Sequence, residues 1–222
     1  MSLRKPRHSN PFEGASRRET TRPLSRRFFG FLLAGAALTS LAGCHDHQAW
    51  HNTNITGAMP RLSFTMMRAT DGKEVTAGDY VGKVVLLYFG YTNCPDICPT
   101  TMASVADILK KLKSEAGDVR VLFVTVDPNR DTLAVLKDYT SQFAPQMDGL
   151  RGTPDQLAAL ARRYRVSYSV TPATKGQPYE VTHSSAIYVF DKKGAIRLLL
   201  SSLSSNNPNI DGSVADLKRL ID

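Results

Sequence analysis

The sequence predicts an α/β fold in which a mixed β-sheet is held between layers of helices. Three observations carry that expectation. Residues 84–89, Val-Val-Leu-Leu-Tyr-Phe, form an uninterrupted apolar run, the pattern of a strand buried on both faces of its sheet. Met102, Val105, Ile108, Leu109 and Leu112 then recur at spacings of three and four, and residues 119–126 form a second apolar run. A strand, an amphipathic helix and another buried strand in succession imply parallel pairing through a right-handed crossover. Later, residues 186–190 and 195–200 are apolar runs separated by Asp191-Lys192-Lys193-Gly194, which fits a four-residue hairpin connection.

Taken in order, the chain justifies each element. Residues 64–68 and 73–75 flank Asp71-Gly72, a pair that tolerates positive φ and suits a β-hairpin. Residues 84–89 should lie at the centre of the sheet. The following helix is expected to start at Pro99, where a missing N–H costs nothing, with Cys98 as its N-cap. Residues 133–143 read as a second amphipathic helix capped by Asp131 or Thr132. Residues 154–164 read as a third, with Pro154 in its first turn, and residues 214–221 as a closing helix. A parallel β-α-β unit followed by an antiparallel β-β-α unit is the thioredoxin-like arrangement. The expectation is therefore a thioredoxin-like three-layer sandwich over residues 60–222 with an N-terminal β-hairpin extension. The 42% apolar content over 222 residues suits one packed core of ordinary size.

The net charge of +8 is concentrated at the N-terminus. Residues 1–27 carry eight basic and two acidic side chains and residues 28–43 none, so +6 lies in the leader and only +2 in the remainder. A nucleic-acid-binding reading loses its support there. Arg26-Arg27 precede an uncharged run of about 14 residues, short for a bilayer span of roughly 20 but ample for an export signal. Ser25-Arg26-Arg27-Phe28-Phe29 resembles a twin-arginine motif, from which Gly30 and Phe31 depart. Leu41-Ala42-Gly43-Cys44 looks like a bacterial lipobox. Residues 1–43 are thus expected to be a signal peptide, and Cys44 the lipidated first residue of an extracytoplasmic, membrane-anchored protein; the competing reading is an uncleaved signal anchor. Residues 44–59, with His45, Asp46, His47 and His51, read as a polar linker in preference to a weak metal-binding tract.

With Cys44 assigned to lipidation, Cys94 and Cys98 remain in the exported domain, in Asn93-Cys94-Pro95-Asp96-Ile97-Cys98-Pro99. They fall where the first buried strand hands over to the first helix, the edge at which α/β folds bind ligands. A thiol at a helix N-terminus meets free N–H groups and the positive pole of the dipole, so Cys98 is expected to be partly ionised near neutral pH. This spacing permits shared metal ligation, redox cycling or a structural disulfide, the last being disfavoured because so short a loop gains little from closure. His183 is the only histidine after the linker, and the topology carries it to the same edge, just before a strand antiparallel to residues 84–89. Asp127 ends the neighbouring parallel strand there as well. Two thiolates and an imidazole suit Cu(I), a further oxygen donor suits Cu(II), and zinc accepts the same set.

Residues 88–99 (Tyr-Phe-Gly-Tyr-Thr-Asn-Cys-Pro-Asp-Ile-Cys-Pro), 126–132 (Val-Asp-Pro-Asn-Arg-Asp-Thr) and 182–184 (Thr-His-Ser) resemble the Sco/SenC family. The likeness extends over residues 60–222. It implies a thioredoxin-like domain that holds copper through Cys94, Cys98 and His183, with Asp127 as a supporting residue near the metal and a candidate ligand of Cu(II). It also implies assistance in maturing the CuA centre of cytochrome c oxidase, with the CuA-bearing subunit or another copper protein as partner. On that reading the chain is a metallochaperone rather than an enzyme. The alternative is an extracytoplasmic thiol-disulfide oxidoreductase in which Cys94 and Cys98 cycle and His183 tunes a thiolate. A peroxidase-type activity rests on fold kinship alone and a purely structural module leaves exposed thiols unexplained.

Overall fold

The computed structural model describes residues 49–177 and 179–222. The signal peptide expected over 1–43, Cys44, and His45, Asp46 and His47 of the expected linker lie outside the described residues. Among the described residues fourteen α-helices and β-strands follow in chain order: β1 Thr53–Asn54, β2 Thr65–Arg68, β3 Glu74–Thr76, β4 Val84–Gly90, α1 Ile97–Leu112, β5 Val119–Thr125, α2 Leu133–Ser141, β6 Met147–Arg151, α3 Pro154–Arg163, β7 Tyr168–Thr171, β8 Glu180–His183, β9 Ile187–Phe190, β10 Ile196–Leu200 and α4 Ile210–Ile221.

Eight strands make one sheet in the order β1-β10-β9-β4-β5-β6-β2-β3. β4 is parallel to β5 over seven residue pairs and antiparallel to β9, with Leu87 opposite Tyr188. All seven β4 residues are buried, the consequence of a strand covered on both faces. Side chains alternate between the faces. Tyr88 and Phe123 stack at 5.8 Å on the face that Tyr139 of α2 also meets. Tyr188 and Phe190 point to the other face, against Tyr164 at the end of α3. On the first face α1 packs beside α4, and the Ser104 hydroxyl donates to the carbonyl of Leu203, in the segment between β10 and α4, at 2.8 Å. The β4-α1-β5 unit and the β9-β10-α4 unit therefore form the thioredoxin-like core.

The capping chemistry follows the residues. Thr153 and Gln156 form a reciprocal capping box with Pro154 in the first turn of α3, and Thr132 caps α2 through the Val135 N–H. Asp131, the other candidate cap, is buried and serves elsewhere. α4 starts four residues before the expected position because the Asn209 side chain accepts from the Gly212 N–H at 3.2 Å.

The structure departs from the sequence expectation in three places. β6 was not anticipated: Met-Asp-Gly-Leu-Arg has a poor strand composition, yet it pairs with β5 on one side and β2 on the other. Gly149 suits the packing there, since a Cβ would sit 2.9 Å from the Leu136 Cβ of α2. The expected N-terminal hairpin is β2–β3, and β6 joins it to the edge of the main sheet as an extension. A second two-stranded sheet, β7–β8, was also missed, because its alternating, half-exposed residues form no apolar run. Lastly, the expected linker 44–59 is corrected at its C-terminal part. Trp50 lies 3.9 Å beneath the Arg219 guanidinium, the His51 and Asn52 N–H groups donate to the buried Asp216 carboxylate at 3.0 and 2.8 Å, and β1 pairs with β10. A buried carboxylate on α4 needs donors, and this segment supplies them, so the packed domain begins near Trp50.

Candidate metal centre

β4 ends at Gly90, and the chain then turns through Tyr91-Thr92-Asn93 to Cys94, whose N–H donates to the Tyr91 carbonyl at 3.3 Å. Thr92 is clamped from β5 and its following turn: the buried Asp131 carboxylate accepts from the Thr92 N–H at 3.0 Å, the Thr92 hydroxyl at 2.6 Å and the Thr125 hydroxyl at 2.6 Å. The cysteine loop is thereby fixed to the end of the neighbouring strand.

α1 starts at Ile97 with Asp96 as N-cap, which corrects the expectation that Cys98 caps a helix beginning at Pro99. The first turn of a helix has several N–H groups without intrahelical partners, so proline fits at more than one of its positions. The Cys98 N–H is donated to Cys94 Sγ at 3.3 Å, and the helix end therefore serves Cys94. Cys98 itself is fully buried. Its Sγ sits under Gly90, where an added Cβ would approach to 3.0 Å, and it receives the Tyr88 hydroxyl proton at 3.5 Å. Burial pushes the Cys98 thiol up to about 12. The expected ionisation near neutral pH is thus overturned: loss of solvent disfavours the thiolate more than its hydrogen bonds favour it.

His183 closes β8. Its Nδ1 lies 3.0 Å from the Ser184 carbonyl oxygen, which only accepts, so Nδ1 carries the proton and Nε2 presents a lone pair. That Nε2 is 3.3 Å from Cys98 Sγ, placing the thiol as donor. The ring stands edge-on between Tyr88 and Tyr91, at centroid distances of 6.0 and 5.7 Å. Burial lowers the His183 pKa below its ordinary value, which keeps the imidazole in its neutral, ligating form. Cys94 Sγ, Cys98 Sγ and a His183 ring nitrogen all lie within 4.8 Å of one another. Cys94 and Cys98 are free thiols. Cys94 and His183 border an open cleft of about 330 Å³ whose walls include Tyr91, Pro95, Ile97 and Val181.

Asp127 reaches the same edge but does not join the three donors. Its carboxylate accepts from the Tyr179 hydroxyl at 2.7 Å and from the Arg130 guanidinium. Each oxygen carries one hydrogen bond, and the carboxylate stands outside the cluster of Cys94, Cys98 and His183. Sequence reasoning missed Tyr88, Tyr91, Thr92, Arg130, Asp131 and Tyr179. The first five fall inside the motifs already noted, whereas Tyr179 has no local signal.

A thioredoxin-like domain with two thiols and a neutral imidazole gathered at one sheet edge is, as a class, a soft-metal or thiol-redox domain. Residues 57–221 match the SCO1/SenC family. The chain is 43% identical over 125 residues to the mitochondrial SCO2 homologue of Bos taurus, an alignment covering 55% of this chain and 47% of that protein, about half its length. A structure of Bradyrhizobium japonicum ScoI with copper bound is similar at 35% identity and a TM-score of 0.64, covering 72% of this chain and 98% of that one. A SCO1/SenC family lipoprotein from Bacillus anthracis is similar at 25% identity and a TM-score of 0.64, covering 78% and 100%. The chain belongs to the SCO1/SenC family.

Proposed function

We propose that this protein is a copper metallochaperone that carries its cargo on Cys94 Sγ, Cys98 Sγ and His183 Nε2 and delivers it to the CuA-bearing subunit of cytochrome c oxidase or another copper protein. The observation that carries the reading is the His183 tautomer: Nδ1–H is spent on the Ser184 carbonyl, leaving Nε2 with its lone pair 3.3 Å from Cys98 Sγ. Such an outer hydrogen bond is how ligating histidines are oriented. The donor set is soft, which suits Cu(I). Donors around a three-coordinate ion with bonds of about 2.3 Å stand roughly 4 Å apart, so a set already within 4.8 Å needs little movement. The copper-bound Bradyrhizobium relative supports the same choice of metal.

The exit route for copper is Cys94. It is only partly buried and borders the cleft, whereas Cys98 is enclosed. An incoming thiolate from the acceptor therefore displaces Cys94 first. The same asymmetry gives the second reading its footing: as an oxidoreductase, Cys94 attacks a partner disulfide, and Cys98 resolves the mixed disulfide, leaving this chain oxidised and the partner as a dithiol.

The domain is placed outside the cytoplasm, held at a membrane by lipid on Cys44 after removal of residues 1–43. The lipobox supports this, as does the likeness to a bacterial family lipoprotein. Among the described residues no helix is long and apolar enough to cross a membrane.

The test is anaerobic titration of the reduced protein with Cu(I) against a competing chelator, with X-ray absorption to count sulfur and nitrogen donors. One ion per chain with two sulfurs and one nitrogen is expected, and His183→Ala should weaken binding by at least about 100-fold, beyond the range of outer-shell changes, while the circular dichroism stays unchanged. Unchanged affinity in His183→Ala, with disulfide exchange intact, would transfer the assignment to the oxidoreductase reading.

A further inference from the structure

The donor set is assembled from two segments that share no backbone pairing. Cys94 and Cys98 stand on the loop and helix after β4, and His183 ends a separate two-stranded hairpin. Between them lies the turn that joins β5 to α2. Asp127 and Asp131 both sit in it, both fully buried, and the turn is closed on itself by the Arg130 and Asp131 N–H groups donating to the Asp127 carbonyl at 3.2 and 3.0 Å.

Each acid reaches one half of the site. Asp131 takes two donors from Thr92, two residues before Cys94. Asp127 takes the Tyr179 hydroxyl, four residues before His183, at 2.7 Å. Arg130, paired with Asp127, covers the Tyr179 ring at 3.8 Å. It also lies 5.9 Å from the ring of Tyr91, which itself stands edge-on to His183. A buried carboxylate of this kind is expensive to leave short of donors, so the two attachments resist release.

We propose that the turn from Asp127 to Asp131 is a two-armed bracket that sets the cysteine and histidine halves of the copper site against each other, with Tyr179 and Asp127 as positioning residues for His183. This rests on His183 being a copper donor. It assigns Asp127 a role through Tyr179 in place of contact with the metal, and it gives Tyr179 a function that no motif indicates. The two arms are separable: loss of the Tyr179 hydroxyl removes the hairpin's bond to Asp127 and loosens it, while the Arg130 stack on the ring and the Thr92 clamp remain.

The experiment compares the full-length chain with Tyr179→Phe, Thr92→Val and His183→Ala. Amide hydrogen exchange is read in the metal-free reduced state and Cu(I) affinity by chelator competition. In Tyr179→Phe, exchange across residues 180–184 should accelerate roughly tenfold, the scale of a hydrogen bond to a charged group, with residues 91–98 unchanged. Cu(I) affinity should fall by a similar factor, and X-ray absorption should show weakened nitrogen ligation. Thr92→Val should give the converse exchange pattern. If Tyr179→Phe leaves both exchange and affinity at the parent values, or loosens the hairpin without weakening Cu(I) binding, the bracket is overturned. If the parent and His183→Ala bind Cu(I) equally, the failure lies in the donor assignment itself.

Discussion

The two halves of the candidate site are held by different physics. The cysteine half belongs to the core: Cys98 is fully buried, capped by Gly90 and Tyr88, and Thr92 is fixed by a carboxylate with three donors. The histidine half is a small hairpin whose residues alternate between exposed and half-buried. It is joined to the turn after β5 by a hydroxyl–carboxylate bond and a stacked guanidinium. The two thiols thus stand on firmly packed elements and the imidazole on a lightly held one. Local stability follows buried apolar contact, and the site divides along that line.

The largest expected effect lies in the cysteine half and appears with pH. In the metal-free reduced protein burial pushes the Cys98 thiol up to about 12, from about 9 for an exposed thiol. The folded-state pKa is raised, so this contribution to stability is full below pH 9 and is lost as the pH climbs toward 12. At 1.36 kcal/mol per unit it reaches a few kcal/mol. Urea unfolding midpoints between pH 8 and 11 should fall more steeply in the parent than in Cys98→Ala. Parallel slopes would show that the buried thiol does not couple to folding.

A smaller effect is expected from Gly90→Ala. The new Cβ would meet the Phe123 and Tyr88 rings at 2.9 Å and Cys98 Sγ at 3.0 Å, an overpacking that costs about 1–3 kcal/mol. Urea denaturation measures the cost, and the same variant should bind Cu(I) more weakly, because the sulfur must shift. Retention of both properties would mean that the core yields here more easily than the contacts imply.

The smallest effect belongs to the hairpin. Ser169 and Thr182 share a hydroxyl contact of 2.8 Å across β7 and β8. Thr182→Ala should change global stability by less than about 0.5 kcal/mol, within the range of exposed substitutions, and should raise amide exchange in the hairpin alone. A global loss beyond that would show the hairpin to be part of the cooperative core, and the contrast between the halves would collapse.

Much of this was legible in the chain. The uninterrupted run from Val84 to Phe89 announced a central strand, and the spacing from Met102 to Leu112 announced the helix packed over it. Cys94 and Cys98 were placed at the strand end by adjacency alone, and antiparallel pairing of the strand after His183 brought that residue to the same edge. β6 was not legible, because Gly149 and Asp148 look like turn residues until neighbours on both sides supply the ladder. The β7–β8 hairpin was hidden because polar alternation does not distinguish a solvated strand from a loop.

The sequence by itself determined the strand-helix-strand core and which side chains could serve as donors, since apolar periodicity and neighbouring residues are local properties. Only the tertiary structure decided that burial raises the Cys98 pKa, that the Asp127 carboxylate meets Tyr179 and Arg130, and that His183 offers Nε2. Each of those outcomes depends on how much water remains around a group and on which distant donor reaches it first. Neither quantity exists until the chain is folded.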